Sequence, residues 1–244
     1  MRYAILSDIH GNLVAFQAVL DHLGTVGPFD QIWCLGDVVG YGPAPNECID
    51  LLRSHSHVCI AGNHDWAAVD RLDISTFNPE AARAALWTGR ELLPQNQVYL
   101  QSLPLTIVNG DFTMAHGSPR DPIWEYILST LAAAVAFESF VGPYCLIGHS
   151  HVPLLFHLDP GGTVSRQRFV PDRPTRLEGG RWLLNPGSVG QPRDGDPRAS
   201  YVLYDAVLGE CWHYRVAYDI LATQSEMRRL DLPAPLADRL SHGW

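Results

Sequence analysis

Five short segments of this 244-residue chain combine metal-binding residue types, and each closes an apolar run. They are Asp8-Ile9-His10, Gly36-Asp37, Gly62-Asn63-His64-Asp65, His116-Gly117 and Gly148-His149-Ser150-His151. A sixth, Asn185-Pro186-Gly187-Ser188, stands in the same kind of place with no obvious ligand. Each has a bland reading when taken alone. An Asp-x-His at a strand end is usually a turn or a helix cap. Asn63 alone reads as a left-handed turn residue, His116 as a core histidine, and His149 and His151 as ordinary residues of one strand. Their recurrence after strand-like runs makes a shared metal centre the better reading.

Asp8, His10, Asp37, Asn63, His116, His149 and His151 offer seven donors: three oxygen donors and four imidazoles. One divalent ion rarely takes seven protein ligands, whereas two ions sharing a bridging carboxylate use them all. A nitrogen–oxygen set without thiolate suits Mn, Fe, Zn, Ni or Co and argues against Ca. Paired ions about 3.5–4 Å apart serve in-line displacement at phosphorus, by activating water and by neutralising charge on the non-bridging oxygens.

The elements that must position these donors alternate. Residues 3–6 read as a short buried strand, and 12–23 carry Leu13, Phe16, Val19, Leu20 and Leu23 at helical spacing. A strand over 31–35, a helix over 45–53 and a strand over 58–61 follow. In this β-α-β-α-β run Asp8, Asp37 and Asn63 fall just after three strands, where a parallel sheet gathers its ligands. Further on, the pattern predicts a helix over 79–93, then a hairpin of 105–108 and 112–115 turning at Asn109-Gly110. A helix over 131–140 comes next. Strands are expected over 144–147, 154–158, 163–169, 182–184, 201–204 and 211–215, then a helix over 217–229. The last fifteen residues, about 230–244, read as a Pro- and Leu-rich tail packed on the chain itself or on a partner.

The ordered set D-x-H, G-D, G-N-H-D/E, H and G-H-x-H resembles the calcineurin-like metallophosphoesterases, complete and in order between Ile5 and about Tyr204. Residues 7–12, 36–43 and 185–198 resemble more narrowly a bacterial and archaeal branch related to diadenosine tetraphosphatases and Ser/Thr phosphatases. The resemblance implies an α/β (α+β) four-layer sandwich, two packed mixed β-sheets flanked by helices. It implies Asp8, His10 and His151 at one ion, Asn63, His116 and His149 at a second, and Asp37 bridging both. A metal-bridging hydroxide would be the attacking group. Manganese is the expected metal, with iron, zinc, nickel and cobalt sharing the ligand set. His64, next to a ligand, is expected to stabilise phosphoryl oxygens or protonate the leaving oxygen. Asp65 is expected to orient its ring, the alternative being a cap on the helix that follows.

Relatives acting on protein phosphomonoesters have arginine in G-D-x-V-D-R-G and R-G-N-H-E. Here those stretches read Gly36-Asp37-Val38-Val39-Gly40-Tyr41-Gly42 and Ala61-Gly62-Asn63-His64-Asp65, without either arginine. An arginine fork grips a terminal phosphate bidentately, so its loss favours phosphodiester or phosphoanhydride substrates of nucleotide type. A phosphomonoesterase or protein Ser/Thr phosphatase with another anion clamp is the alternative. A non-catalytic interaction scaffold on the same fold is a second, against which the retention of His64 and all seven donors speaks. Tyr41, Arg120 and Arg193 are the expected substrate contacts; the bland reading pairs the arginines with Asp121 and Asp194. Trp124 and Tyr126 read as a wall of the site or as core.

Composition is compatible with this. Hydrophobic residues make up 46% of the chain, enough for a sizeable core. A formal charge of −9 argues against a broad nucleic-acid footprint and so against a nuclease, while metal charge would still dominate a phosphate site. The five cysteines are scattered, with no Cys-x-x-Cys, so no disulfide framework is expected and the cytoplasm is the expected compartment. No signal peptide is visible, and the longest apolar stretch, around 131–137, is far short of a membrane span. A single domain over 1–244 is expected, because a cut between the motifs would split the site.

Overall fold

The computed structural model describes residues 1–171 and 173–244. Strands β1 (Arg2–Leu6), β2 (Gln31–Cys34) and β3 (His57–Cys59) lie parallel side by side. Helices α1 (Leu13–Val26) and α2 (Pro45–Arg53) make the crossovers. Asn12 caps α1 by accepting from the Ala15 N–H at 3.1 Å, and Pro45 opens α2 where its missing N–H costs nothing. The strands β9 (Thr175–Arg176), β11 (Ala199–Asp205) and β12 (Glu210–Val216) complete a six-stranded sheet of order β3-β2-β1-β11-β12-β9.

The second sheet has six strands in the order β4-β5-β6-β10-β7-β8. They are β4 (Thr106–Asn109), β5 (Phe112–Ala115), β6 (Tyr144–Leu146), β7 (Pro153–Leu158), β8 (Val164–Gln167) and β10 (Arg181–Pro186). Here β5, β6 and β10 are the parallel neighbours. Both sheets are therefore mixed, and each contains one parallel triplet.

Side-chain alternation packs the sheets face to face. In β1, Ala4 and Leu6 point to the helices while Ile5 points to the second sheet; in β10, Leu183 points outward while Trp182 and Leu184 point back. Ile5, Trp33, Met114, Leu155 and Leu184 thus fill the space between the sheets. Phe16, Val19, Leu23, Ile49 and Leu52 cover the outer face of the first sheet, and Phe137 of α6 (Thr130–Phe137) covers the second. Each such side chain contributes about 1.5–3 kcal/mol by burial. The result is four layers: helices, two mixed six-stranded sheets, helices.

Some elements differ from expectation. The helix expected over 79–93 ends earlier, as α4 (Pro79–Glu91), because Leu92 and Leu93 are extended ahead of Pro94. Pro94 then opens an unforeseen helix, α5 (Pro94–Ser102). The helix α7 (Ile220–Arg229) starts three residues late because the Asp219 side chain caps it, accepting from the Ala222 N–H at 3.0 Å. The tail is ordered as α8 (Ala234–Asp238) and a 3-10 turn, Arg239–Ser241. Its Leu232, Leu236, Ala237 and Leu240 are buried with Ala81 and Ala84 of α4, Met227 of α7, and Tyr41. All five cysteines are free and buried. Among the described residues no helix is long and apolar enough to cross a membrane.

Candidate metal centre

The carboxyl ends of the two parallel triplets meet. Loops after β1 and β2 deliver Asp8, His10 and Asp37, and Asn63 opens the short helix α3 (Asn63–Ala68) beyond β3. Loops after β5 and β6 deliver His116, His149 and His151. Backbone bonds stitch these loops together: Asp8 N–H to Gly36 O at 3.0 Å, His10 N–H to Asp37 O at 2.9 Å, and Gly148 N–H to His116 O at 2.8 Å. The segment after β10 crosses between the sheets, with Val189 N–H bonding Ser7 O at 3.0 Å and Gly190 N–H bonding Asp8 O at 2.9 Å.

The sixth sequence motif acts here. Asn185 donates to Gly148 O at 2.5 Å and Ser150 Oγ at 3.0 Å, and accepts from the Gly187 N–H at 2.8 Å. Ser188 Oγ donates to Asp8 O at 2.8 Å and accepts from the Gln191 N–H at 2.8 Å. Neither touches the donor cluster; both hold the loops that carry it.

These loops store strain. Asp8, His10, Asp37, His149 and His151 have φ of 54°, 50°, 53°, 63° and 57°, a left-handed conformation uncommon for residues with a Cβ. Each such position costs about 1–3 kcal/mol and persists only where its surroundings impose it. Two glycines allow the close approach: a Cβ on Gly62 would collide with the Asp37 carboxylate, and one on Gly148 with Ser7 Oγ.

The rings are aimed from behind. Nδ1 of His10, His116 and His151 lies 3.1, 2.7 and 2.6 Å from the carbonyl oxygens of Val39, Leu35 and Gln191. A carbonyl accepts only, so each Nδ1 carries the hydrogen and each Nε2 faces the centre, where a neutral ring presents its lone pair. Nε2 of His10 and His151 are 3.1 Å apart, and His151 Nε2 is 3.2 Å from Asp8 Oδ1. His116 Nε2 is 3.2 Å from Asn63 Oδ1 and 3.3 Å from Asp37 Oδ2. His10 Nε2 lies 3.7 Å from both Asp8 Oδ1 and Asp37 Oδ2.

The donors fit divalent ions. Donors about 2.1 Å from a common ion stand roughly 3–4 Å apart, which is the spacing seen. Asp8 with His10 and His151, and Asp37 with His116 and His149, form two groups whose ligand atoms lie within 4.8 Å of one another. Both oxygens of Asp8, Asp37 Oδ2 and His149 Nε2 are buried without a hydrogen-bond donor. Two facing lone pairs and several orphaned carboxylate oxygens are costly in a dry site unless a cation lies between them.

The local field agrees. Burial lowers the proton affinity of His116, but Asp37 and Asp8 outweigh it and raise its pKa to about 10. Burial would raise Asp8 and Asp37; their histidine neighbours reverse this and hold both well below the usual carboxylate range. The two carboxylates thus hold a proton on His116 Nε2 that a bound cation would replace. Burial, the largest influence in each case, also pushes His149 down to about 3 and His64 down to about 4.

His64 lines the same cleft, buried, with its Nδ1 unpaired and its ring 4.2 Å from Tyr41 and 5.0 Å from Phe77. Asp65 does not orient it. The Asp65 carboxylate instead accepts N–H bonds from Asp37 at 2.7 Å, Val39 at 3.1 Å and Gly62 at 3.0 Å, so it caps α3 and ties down the Asp37 loop. Arg120 also departs from expectation: it faces out, 54% exposed, and pairs with Glu125. Tyr41 and Arg193 do line the cleft, with Arg193 Nη2 3.4 Å from the Tyr41 hydroxyl. Trp124 and Tyr126 are walls, not core, 38% and 49% exposed, and Tyr126 stacks on His149 at 4.1 Å. Phe77, missed in the sequence, completes this wall at 5.7 Å from Trp124; the only signal was its place before the cap Asn78.

Comparison with known proteins places the chain. Residues 1–207 match the family model of the calcineurin-like phosphoesterase superfamily domain. A crystal structure of a metallophosphoesterase from Sphaerobacter thermophilus superposes with a TM-score of 0.90 at 44% identity, covering 100% of this chain and 99% of that one. An uncharacterised protein of Methanocaldococcus jannaschii is 37% identical over 98% of this chain and 97% of its own length. A symmetrical bis(5'-nucleosyl)-tetraphosphatase of Haemophilus ducreyi is 27% identical, over 53% of this chain and 49% of that protein. The chain belongs to the calcineurin-like phosphoesterase superfamily and is a metal-dependent phosphoesterase, a hydrolase.

Proposed function

We propose that the chain hydrolyses phosphodiester or phosphoanhydride bonds of nucleotide-type substrates at a two-ion centre. Asp8, His10 and His151 would hold one ion, Asn63, His116 and His149 the other, and Asp37 both, with manganese the expected metal. The observation that carries this is the convergence of inward Nε2 lone pairs on unpaired carboxylate oxygens at the floor of an open cleft. When bound, such ions supply Lewis acidity and an activated water. His64 lies over the same floor and donates a ring N–H to a phosphoryl oxygen. Tyr41 and Arg193 bind the anion from the side. Phe77, Trp124 and Tyr126 offer ring faces on which a base stacks. The tetraphosphatase likeness, although it spans half of that protein, supports a small nucleotide.

The test is hydrolysis of bis-p-nitrophenyl phosphate against p-nitrophenyl phosphate with Mn, for wild type and His64→Ala. The reading predicts preferential diester turnover, reduced roughly 10²–10⁴-fold in the variant. Preferential monoester turnover would move the assignment to a phosphatase. No turnover of either ester with both ions bound would favour a scaffold.

A further inference from the structure

We propose that Arg193 and Arg239 form a second phosphate subsite beside the metal centre, selecting substrates with two adjacent phosphoryl groups. This rests on the phosphoesterase reading above and adds to it a preference for phosphoanhydrides over simple diesters. Arg193 comes from the loop after β10 and Arg239 from the C-terminal turn, yet both donate to one oxygen. Gln191 Oε1 accepts from Arg193 Nη2 at 2.8 Å and from Arg239 Nη1 at 3.4 Å. Tyr41, whose hydroxyl meets Arg193 at 3.4 Å, stands beside them.

Among the described residues the pair has no carboxylate partner. Eight other arginines among the described residues lie within 4.0 Å of a carboxylate. Among the described residues neither Arg193 nor Arg239 does. The acids next to them in the chain are committed elsewhere: Asp194 to Arg215, and Asp238 to Arg228 at 2.9 Å. Glu80, in the first turn of α4, is felt by Arg239 but makes no ion pair with it. Arg193 Nε is buried without a partner. Two guanidinium groups sharing one neutral acceptor repel each other, and a phosphate, with oxygens enough for both forks, relieves this.

The placement suits an anhydride. Arg193 N–H bonds His151 O at 3.2 Å, and its side chain shares the cleft with Asp37, Asn63 and His64. A phosphoryl group over the donor cluster therefore has its neighbour phosphate within reach of Arg193, with Arg239 next to it on the shared Gln191 oxygen. In hydrolysis the water oxygen bonds to the first phosphorus and the P–O–P bond breaks. The leaving phosphate takes the bonding pair, and the water proton passes to solvent. Negative charge grows on the leaving phosphate, where the two guanidinium groups stand.

The test uses Mn-loaded protein and isothermal titration of imidodiphosphate against orthophosphate. Wild type is expected to bind imidodiphosphate ~10-fold or more tighter than orthophosphate, since a paired charge-assisted contact is worth at least that. Arg239→Gln should collapse the ratio towards one, Arg239→Lys should restore part of it, and Arg193→Gln, which leaves the tail untouched, should collapse it too. A ratio unchanged in both glutamine variants would overturn the clamp. Failure of the wild type to cleave bis-p-nitrophenyl phosphate would sink the phosphoesterase reading instead, and the binding ratio is read independently of it.

Discussion

Replacing Asn185 tests whether residues behind the ligands hold the centre together. Its amide is fully buried and makes three hydrogen bonds, to Gly148 O, Ser150 Oγ and the Gly187 N–H. In Asn185→Ala the Gly187 N–H loses its partner in a site closed to water, at a cost of about 1–3 kcal/mol. Gly148 O keeps its bond from the Ser150 N–H at 2.7 Å, so the other two losses cost nearer ~1 kcal/mol each. The variant should be destabilised by about 3–5 kcal/mol, a fall in Tm of about 10 °C for a chain of this size. His149 and His151, on the loop it ties, should then bind metal ~10–100-fold more weakly. Asn185→Asp, of nearly equal volume, separates hydrogen bonding from packing, because a carboxylate there would face two oxygens. Urea unfolding at constant m and Mn titration read both effects. A loss under ~1 kcal/mol with unchanged Mn affinity would show that the loops hold the ligands without this amide.

Two further outcomes follow from the structure. The His213 ring is pushed down to about 3, by burial first and then by Arg215, while its Nε2 meets Ser200 Oγ at 2.8 Å. The unfolded chain therefore gains this proton near pH 6.5 and the folded chain does not. Stability should fall as pH drops from about 6.5 towards 3, by up to ~1.4 kcal/mol per pH unit from this group. Unfolding curves of wild type and His213→Gln should converge over that window; parallel curves would refute the assignment. Trp124→Ala removes an exposed ring face beside the cleft and should raise KM for an adenine nucleotide by the loss of about 1–3 kcal/mol of stacking; an unchanged KM would remove this wall from the substrate site.

The donor set was legible because each donor follows a strand, and two parallel triplets carry those ends to one place. Periodicity of two and of 3.6 suffices to find such elements. What the chain hid are directions and distant pairings. Asp65 follows His64 in sequence, yet the first turn of α3 points its carboxylate back to three backbone amides. Arg120 pairs with Glu125 instead of Asp121, whose carboxylate accepts from the Ile123 and Trp124 N–H groups at the turn. The helix α5 carries few apolar residues at regular spacing, so only its Pro94 marked it. The tail depends on contacts with Tyr41 and Gln191, far away in sequence, which no local pattern encodes.

The most direct test of the account is the number of ions per chain at which diester turnover saturates. Metal-stripped protein would be titrated with Mn while bis-p-nitrophenyl phosphate hydrolysis is followed, for wild type and Asp37→Asn. The account predicts saturation at two ions in the wild type, with a second ion lost or greatly weakened in the variant and turnover lost with it. Full turnover at one ion, or two ions held equally well without the Asp37 carboxylate, would contradict it.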